Sequence, residues 1–368
     1  MARLFIIIIS MCVIGYVAQH DNRGGNNPFV IMDIVIYSLF VGLRTGYNDT
    51  ANYIKSYENA DSLKEFMADP NRMNVLHNPL FYGINAKFHE ITPNYHIFFM
   101  VVAIFNAILL IRFIKKHSYG PFSYSILLFW GFGLGMFGAA AMKQITAMAI
   151  LTLAYDDLLN KKWVRFVFIV LIASLIHTYA ILFLVLPFLT SKPGNWQTVL
   201  LILLTAGILL TFNSTISTAL DYADVAGKSV ADFEVFDGVQ MNPFRVAVFG
   251  ICPILLLLFR RRLFQGNEST REDLYLLGNM SIVAFMFVLM GSINGANMFG
   301  RLATYFVLGD ICLLGYILKE VFTEKSAQLL TILSAILFLV FIAYDNKGID
   351  LYGGYTAISI LEFLRSVF

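Results

Sequence analysis

The sequence predicts an all-α, polytopic integral membrane protein with about 10–12 transmembrane or re-entrant helices. Three observations predict it. Apolar runs close to the ~20 residues that cross a bilayer recur throughout the 368 positions. Hydrophobic residues make up 58% of the chain and charged residues 14%, too few to cover a soluble domain of this size. The basic residues gather in short loops between the runs, as they do in membrane proteins. A formal charge of +2 gives no basis for a nucleic-acid partner.

Taken in order, the run at about 3–19 carries only Arg3 in its n-region and is followed closely by the next run, which predicts an uncleaved first helix. The second run, about 29–44, ends in "LRTGYNDTANY", Leu43 to Tyr53. The polar interval 45–95 contains "SLKEFMADPNRM" and "NPLFYGINAKFHEI", which read as amphipathic segments lying along the interface. Runs follow at about 96–113, 122–138, 143–159, 164–190, 197–213, 244–260, 274–291, 299–318 and 327–344. No internal repeat is visible, so 1–368 reads as a single transmembrane domain with polar intervals at 45–95 and 214–243 and a tail at 345–368. Cys12, Cys252 and Cys312 all lie inside apolar runs and read as small core residues.

Four basic clusters, "RFIKKHS", "NKKWVR", "RRRLF" and "KEVFTEK", are placed on the cytoplasmic side together with Arg23, and the N-terminus then lies outside. Counting crossings is consistent except at 164–190. Both of its ends must be cytoplasmic, yet it is too short for two full helices. This predicts a hairpin or broken helix with its tip near His177, a geometry tolerated only where backbone is buried or lines a cavity. On this map the intervals 45–95 and 138–143, the tip at His177, the intervals 214–243 and 291–300, and the tail face outward.

Charges at or inside spans are costly and ask for a reason. The outward set is Arg44, Asp49, Lys143, His177, Arg245 and Arg301, and Asp310 sits deeper. Cations thus gather on the side that loop bias normally leaves poor in them. Such a group suits a compact polyanion such as a diphosphate. Each has a plainer reading. Arg44 could snorkel from a helix end, Asp49 could cap a helix through "NDT", and Asp310 could tie helices together. The run "GFGLGMFGAAAM" before Lys143 could be close helix packing or room for a ligand. His177 has the chemistry to take a proton from a hydroxyl near neutral pH. Arg301 heads the run "GRLATYF" with Tyr305 one turn below. No P-loop, dinucleotide fold, GxSxG, HExxH or Cys/His metal spacing is present.

The order R-x-G-x-x-D-T-x-x-Y at Arg44–Tyr53, then "MKQITAMAI" after a glycine-rich run, then "LIASLIHTYAILFL", then "GRLATYF", resembles the EpsG-type, Wzy-like bacterial polysaccharide polymerases over roughly 35–310. The chain departs at Lys143, where the family commonly carries Arg before Gln, so charge is kept but a bidentate fork is lost. The resemblance implies a GT-C-like polymerase architecture in the bacterial inner membrane, multi-pass, with the active site facing the periplasm. It implies transfer of a growing glycan from undecaprenyl diphosphate to the non-reducing end of a new lipid-linked repeat unit. Donor and acceptor are both undecaprenyl-diphosphate-linked glycans held in membrane lipid, with a chain-length regulator and a flippase as possible partners. His177 and Asp49 are the expected catalytic residues, and Arg44, Lys143 and Arg301 the diphosphate ligands. Tyr53, Gln144, Arg245 and Tyr305 are expected to position sugar or phosphate. No cofactor and no metal is expected, since fixed cations can take a metal's place. The alternatives are an O-antigen ligase and a non-enzymatic flippase or transporter. A flippase would call for paired repeats and a polar path through the midplane.

Overall fold

The computed structural model describes residues 1–20, 27–211, 239–264, 272–347 and 354–367. Arg23, most of the interval 214–243 and residues 348–353 of the tail lie outside them. The architecture is all-α, relieved among the described residues by a short two-stranded pairing. Among the described residues, four helices are long and apolar enough to cross a membrane. Two further pairs pass together but are bent, and five apolar helices are shorter. This is a multi-pass membrane protein.

The chain divides into two compact units, Met1–Leu184 with Thr331–Phe368, and Val185–Leu330. The first unit begins with α1 (Ala2–Gln19) and α2 (Pro28–Gly42). Asn27 caps α2 by accepting from the Phe29 N–H at 2.8 Å, with Pro28 in the first helical position, where its missing N–H costs nothing. The chain then extends as β1 (Arg44–Gly46). Next come α3 (Thr50–Glu58) and α4 (Leu63–Ala68), whose capping box joins Ser62 and Glu65. A 3₁₀ turn (Val75–His77) leads into α5 (Pro79–Ile91).

Helix α6 (Tyr95–His117) packs against α2, and its last turn places Lys115, Lys116 and His117 where they complement the helix dipole. Helices α7 (Phe122–Gly131) and α8 (Leu134–Ala140) form a pair bent by 49° at Gly133, whose φ of +82° only glycine adopts freely. Helix α9 (Met142–Leu159) follows and packs against α6 and α10 (Trp163–Ile176). Helix α10 stops at His177, and a 3₁₀ helix (Thr178–Leu189) continues. The break expected inside 164–190 is present and falls at His177.

In the second unit, α11 (Trp196–Leu210), α12 (Pro243–Leu258), α13 (Arg260–Leu263) and α14 (Glu272–Gly291) are followed by α15 (Ala296–Thr304) and α16 (Leu308–Val321). The run 299–318 is not one helix, because α15 and α16 meet at a 67° bend. Gly309 lets α16 approach α14, since a Cβ there would collide with the Leu277 carbonyl oxygen.

Helix α17 (Glu324–Asp345) begins in the second unit's sequence and continues in the first, where Phe338 lies against Gly131. The tail returns as β2 (Thr356–Ala357) and α18 (Ile360–Val367). Helix α18 buries none of its residues and exposes Ile360, Leu361 and Leu364, the pattern of a helix lying in an interface. Exposed apolar side chains along α1, α11 and α17 meet the requirement of a lipid-facing surface.

Candidate functional site

The first unit gathers a polar centre where α2 ends. At Arg44 the chain leaves helical geometry and pairs antiparallel with the tail, Arg44 opposite Ala357 and Gly46 opposite Thr356. Gly46 permits this approach, because a Cβ would stand 2.6 Å from Thr356 Oγ1. Three further contacts close the clasp. Thr45 donates to Thr356 at 2.9 Å, Ile358 N–H donates to the Leu43 carbonyl at 3.0 Å, and the Tyr355 hydroxyl donates to the Phe40 carbonyl. The Tyr355 ring stacks on Phe40 at 4.5 Å.

Under this clasp the Arg44 side chain is 0% exposed. Its Nη1 donates to the Val41 carbonyl at 2.5 Å and its Cζ lies 4.4 Å over the Phe99 ring. Its Nε and Nη2 have no hydrogen-bond partner among the described residues. No carboxylate among them pairs with it. A buried cation with idle N–H groups is costly, several kcal/mol in the usual range of about 3–5. An anion accepting from Nε and Nη2 would remove that cost, and the fork geometry fits a phosphate oxygen pair.

Asp49 holds the N-cap position of α3, yet its side chain makes no capping bond; the Thr50 hydroxyl donates instead to the Tyr47 carbonyl at 2.6 Å. Asp49 therefore stands at the cap position without the carboxylate bond that makes aspartate favourable there. One turn on, buried Tyr53 accepts from the Lys143 backbone N–H at 3.4 Å. Burial holds the Tyr53 hydroxyl well above the ordinary phenol range, so it stays protonated and able to donate.

Lys143 is the second residue of α9. The chain is non-helical at Ala141 (φ −129°, ψ 70°), so the first N–H groups of α9 begin afresh at this point. The helix start and the Lys143 ammonium both favour negative charge. Lys143 Nζ donates to the Tyr82 hydroxyl of α5 at 3.0 Å. Gln144 is buried beside it, 1% exposed. The glycine-rich run before Lys143 is packed rather than open. A Cβ on Gly138 would collide with the Tyr37 hydroxyl, and one on Gly135 with the Trp130 ring.

Helix α5 also carries the link to His177. Its N-cap Asn78 (φ 56°) accepts from the Thr178 N–H at 3.1 Å and so pins the backbone where α10 stops. His177 is half-buried with its ring edge-on to Tyr179 at 5.3 Å. Direct contacts therefore tie Tyr53, Lys143 and Tyr82 together. Arg44 lies within electrostatic reach of Tyr53, and Thr178, the neighbour of His177, is bonded to Asn78 at the start of α5.

In the second unit, Arg245 is half-buried in the first turn of α12. Arg301 is exposed in the last turn of α15, ahead of the bend rather than at the head of a continuous span, and Tyr305 is 1% exposed at the bend itself. Asp310 is buried and accepts from the Ser281 hydroxyl at 2.6 Å, joining α16 to α14 as its plainer reading expects. Among the described residues, no group of three or more His, Cys, Asp or Glu is placed to hold a metal ion.

A family model described as the EpsG family matches residues 28–356, nearly the whole chain. The chain belongs to the EpsG family. No curated protein and no solved structure matches it. At the level of the family, this EpsG chain is a glycosyltransferase-like polysaccharide polymerase. The matched span begins at the first residue of α2 and ends in β2, so both strands of the clasp reach into it. The reading from sequence missed Tyr82, Asn78 and Tyr355. Tyr82 and Asn78 lie in a segment whose only signal was amphipathicity, and Tyr355 lies in a tail with no motif.

Proposed function

We propose that this EpsG-family protein extends a lipid-linked polysaccharide at the outer face of the bacterial inner membrane. The growing glycan leaves undecaprenyl diphosphate and is joined to the non-reducing end of a new lipid-linked repeat unit. The acceptor hydroxyl oxygen forms a bond to the anomeric carbon of the donor. The bond from that carbon to the diphosphate oxygen breaks, and its electron pair departs with the diphosphate. The hydroxyl proton passes to a base, His177 first and Asp49 second.

The observation that carries this reading is the buried Arg44 guanidinium with Nε and Nη2 unpartnered, near the Tyr53–Lys143 contact at the start of α9. Arg44, Lys143 and the α9 N-terminus supply fixed positive potential where charge develops on the leaving group, the arrangement that lowers such a barrier most. Tyr53 donates to the same oxygens. The role of Arg301 as a further diphosphate ligand, and of Arg245, Gln144 and Tyr305 in positioning, is proposed on their chemistry and tested by their own variants. The reaction proceeds without a metal or other cofactor. The lipid tails of both substrates lie against the apolar helix surfaces. A flippase supplies the repeat unit and a chain-length regulator is a proposed partner. The test is the purified full chain in proteoliposomes with lipid-linked repeat units. A ladder of longer lipid-linked glycans, formed equally in chelator, supports the reading. Intact repeat units moved across the bilayer but never lengthened, or glycan delivered only to a lipid A core, would overturn it.

A further inference from the structure

A cavity of about 360 Å³ opens between α3, α4, the 3₁₀ turn and α5, within the first unit. Asn85 on α5 lines it and is 2% exposed, yet neither its Oδ1 nor its Nδ2 has a hydrogen-bond partner among the described residues. A buried carboxamide left this way has lost its water and gained nothing in return, so a ligand that both donates and accepts would be favoured there. Adjacent hydroxyls of a sugar ring do both. Asn59, Asn71 and His77 add polar groups to the walls, and buried Phe66 supplies an apolar face for a ring.

The charges set the ligand class. The cation in the cavity wall is Arg72, already paired with Asp61 and with Asp69, the latter at 3.3 Å. Two carboxylates to one guanidinium disfavour an anion. The cavity therefore suits a neutral sugar, whereas the diphosphate belongs with Arg44 and Lys143. Tyr82 connects the two places, since it lines the cavity and its hydroxyl holds Lys143 Nζ at 3.0 Å.

We propose that the cavity around Asn85 is the recognition subsite for the neutral sugar carried next to the diphosphate, with Asn85 the specificity-determining residue. This rests on the polymerase reading, and the test separates the two. Full-length protein in lipid nanodiscs is probed by saturation-transfer NMR with a panel of methyl glycosides, and by calorimetry with inorganic diphosphate. Wild type is expected to bind at least one glycoside, with binding falling at least ~10-fold in Asn85→Ala while diphosphate binding is unchanged. The exposed Lys64→Ala, outside the cavity, keeps both. If Asn85→Ala does not fold, Asn59→Ala at the open rim is expected to weaken the glycoside about 3-fold or more. Glycoside binding that is equal in wild type and Asn85→Ala, or absent from a wild type that binds diphosphate, overturns the subsite. Asn85-dependent glycoside binding without diphosphate binding supports the subsite and removes the polymerase reading instead.

Discussion

Arg44 and Arg301 look alike in the sequence, each a cation beside an apolar run, but the structure treats them differently. Arg44 is entirely buried under a strand clasp that joins Leu43–Gly46 to a tail more than three hundred residues later. Arg301 is exposed in the last turn of a short helix. Desolvating a cation without a carboxylate opposes folding, so an anion accepting from the idle N–H groups of Arg44 would offset that cost. An exposed arginine carries no such cost, and its position says little by itself. Burial alone is not the mark either. Asp310 is just as buried and leaves its Oδ2 without a partner, while its Oδ1 accepts from Ser281 between two helices. What distinguishes Arg44 is a buried cation with two adjacent idle N–H donors, Nε and Nη2, in the fork that a bidentate anion would fill.

The sharpest way to break this comparison is to exchange Arg44 for an apolar side chain of similar length. Arg44→Met is expected to lower polymer formation by about 10²–10³-fold, the usual cost of losing one preorganised charge-stabilising donor. Its melting temperature should hold or rise, because a costly buried charge is removed. A large fall in melting temperature would make Arg44 a structural keystone instead. Next in size is Lys143→Ala, expected to cost roughly 10²-fold in kcat, while Lys143→Arg keeps most of the activity because a cation remains at the start of α9. Arg301→Ala is expected to lower activity by about 10-fold with stability within ~0.5 kcal/mol of wild type, as for an exposed site. A melting temperature that falls as activity does would erase the contrast with Arg44. The smallest effect is that of Tyr53→Phe, about 3–10-fold in activity, with about 1 kcal/mol lost because the Lys143 N–H loses its acceptor.

The fold was legible where composition decides it. Apolar runs of bilayer length stand out in any window, and the helix break expected near His177 is present, where α10 ends and a 3₁₀ helix follows. The bends at Gly133 and between α15 and α16 were not legible, because apolar composition continues through them. At the site, Arg44, Lys143 and His177 stood out as charges where charge is costly. Their neighbours did not. The pairing of Arg44 with Ala357 depends on two very short strands, which leave no periodic pattern in sequence. The contact of Lys143 with Tyr82 joins residues 61 positions apart, and nothing in a tyrosine on an amphipathic helix tells which partner it will meet. Asn85 was silent for the same reason: a missing partner can be seen only once every neighbour is in place.

The most direct test of the central claim is an experimental structure of the full chain with undecaprenyl diphosphate bound in a lipid nanodisc. Diphosphate oxygens are expected within hydrogen-bond distance of Arg44 Nη2 and Lys143 Nζ. A diphosphate held elsewhere, with Arg44 still closed under the tail and its Nε and Nη2 still unpartnered, would contradict it.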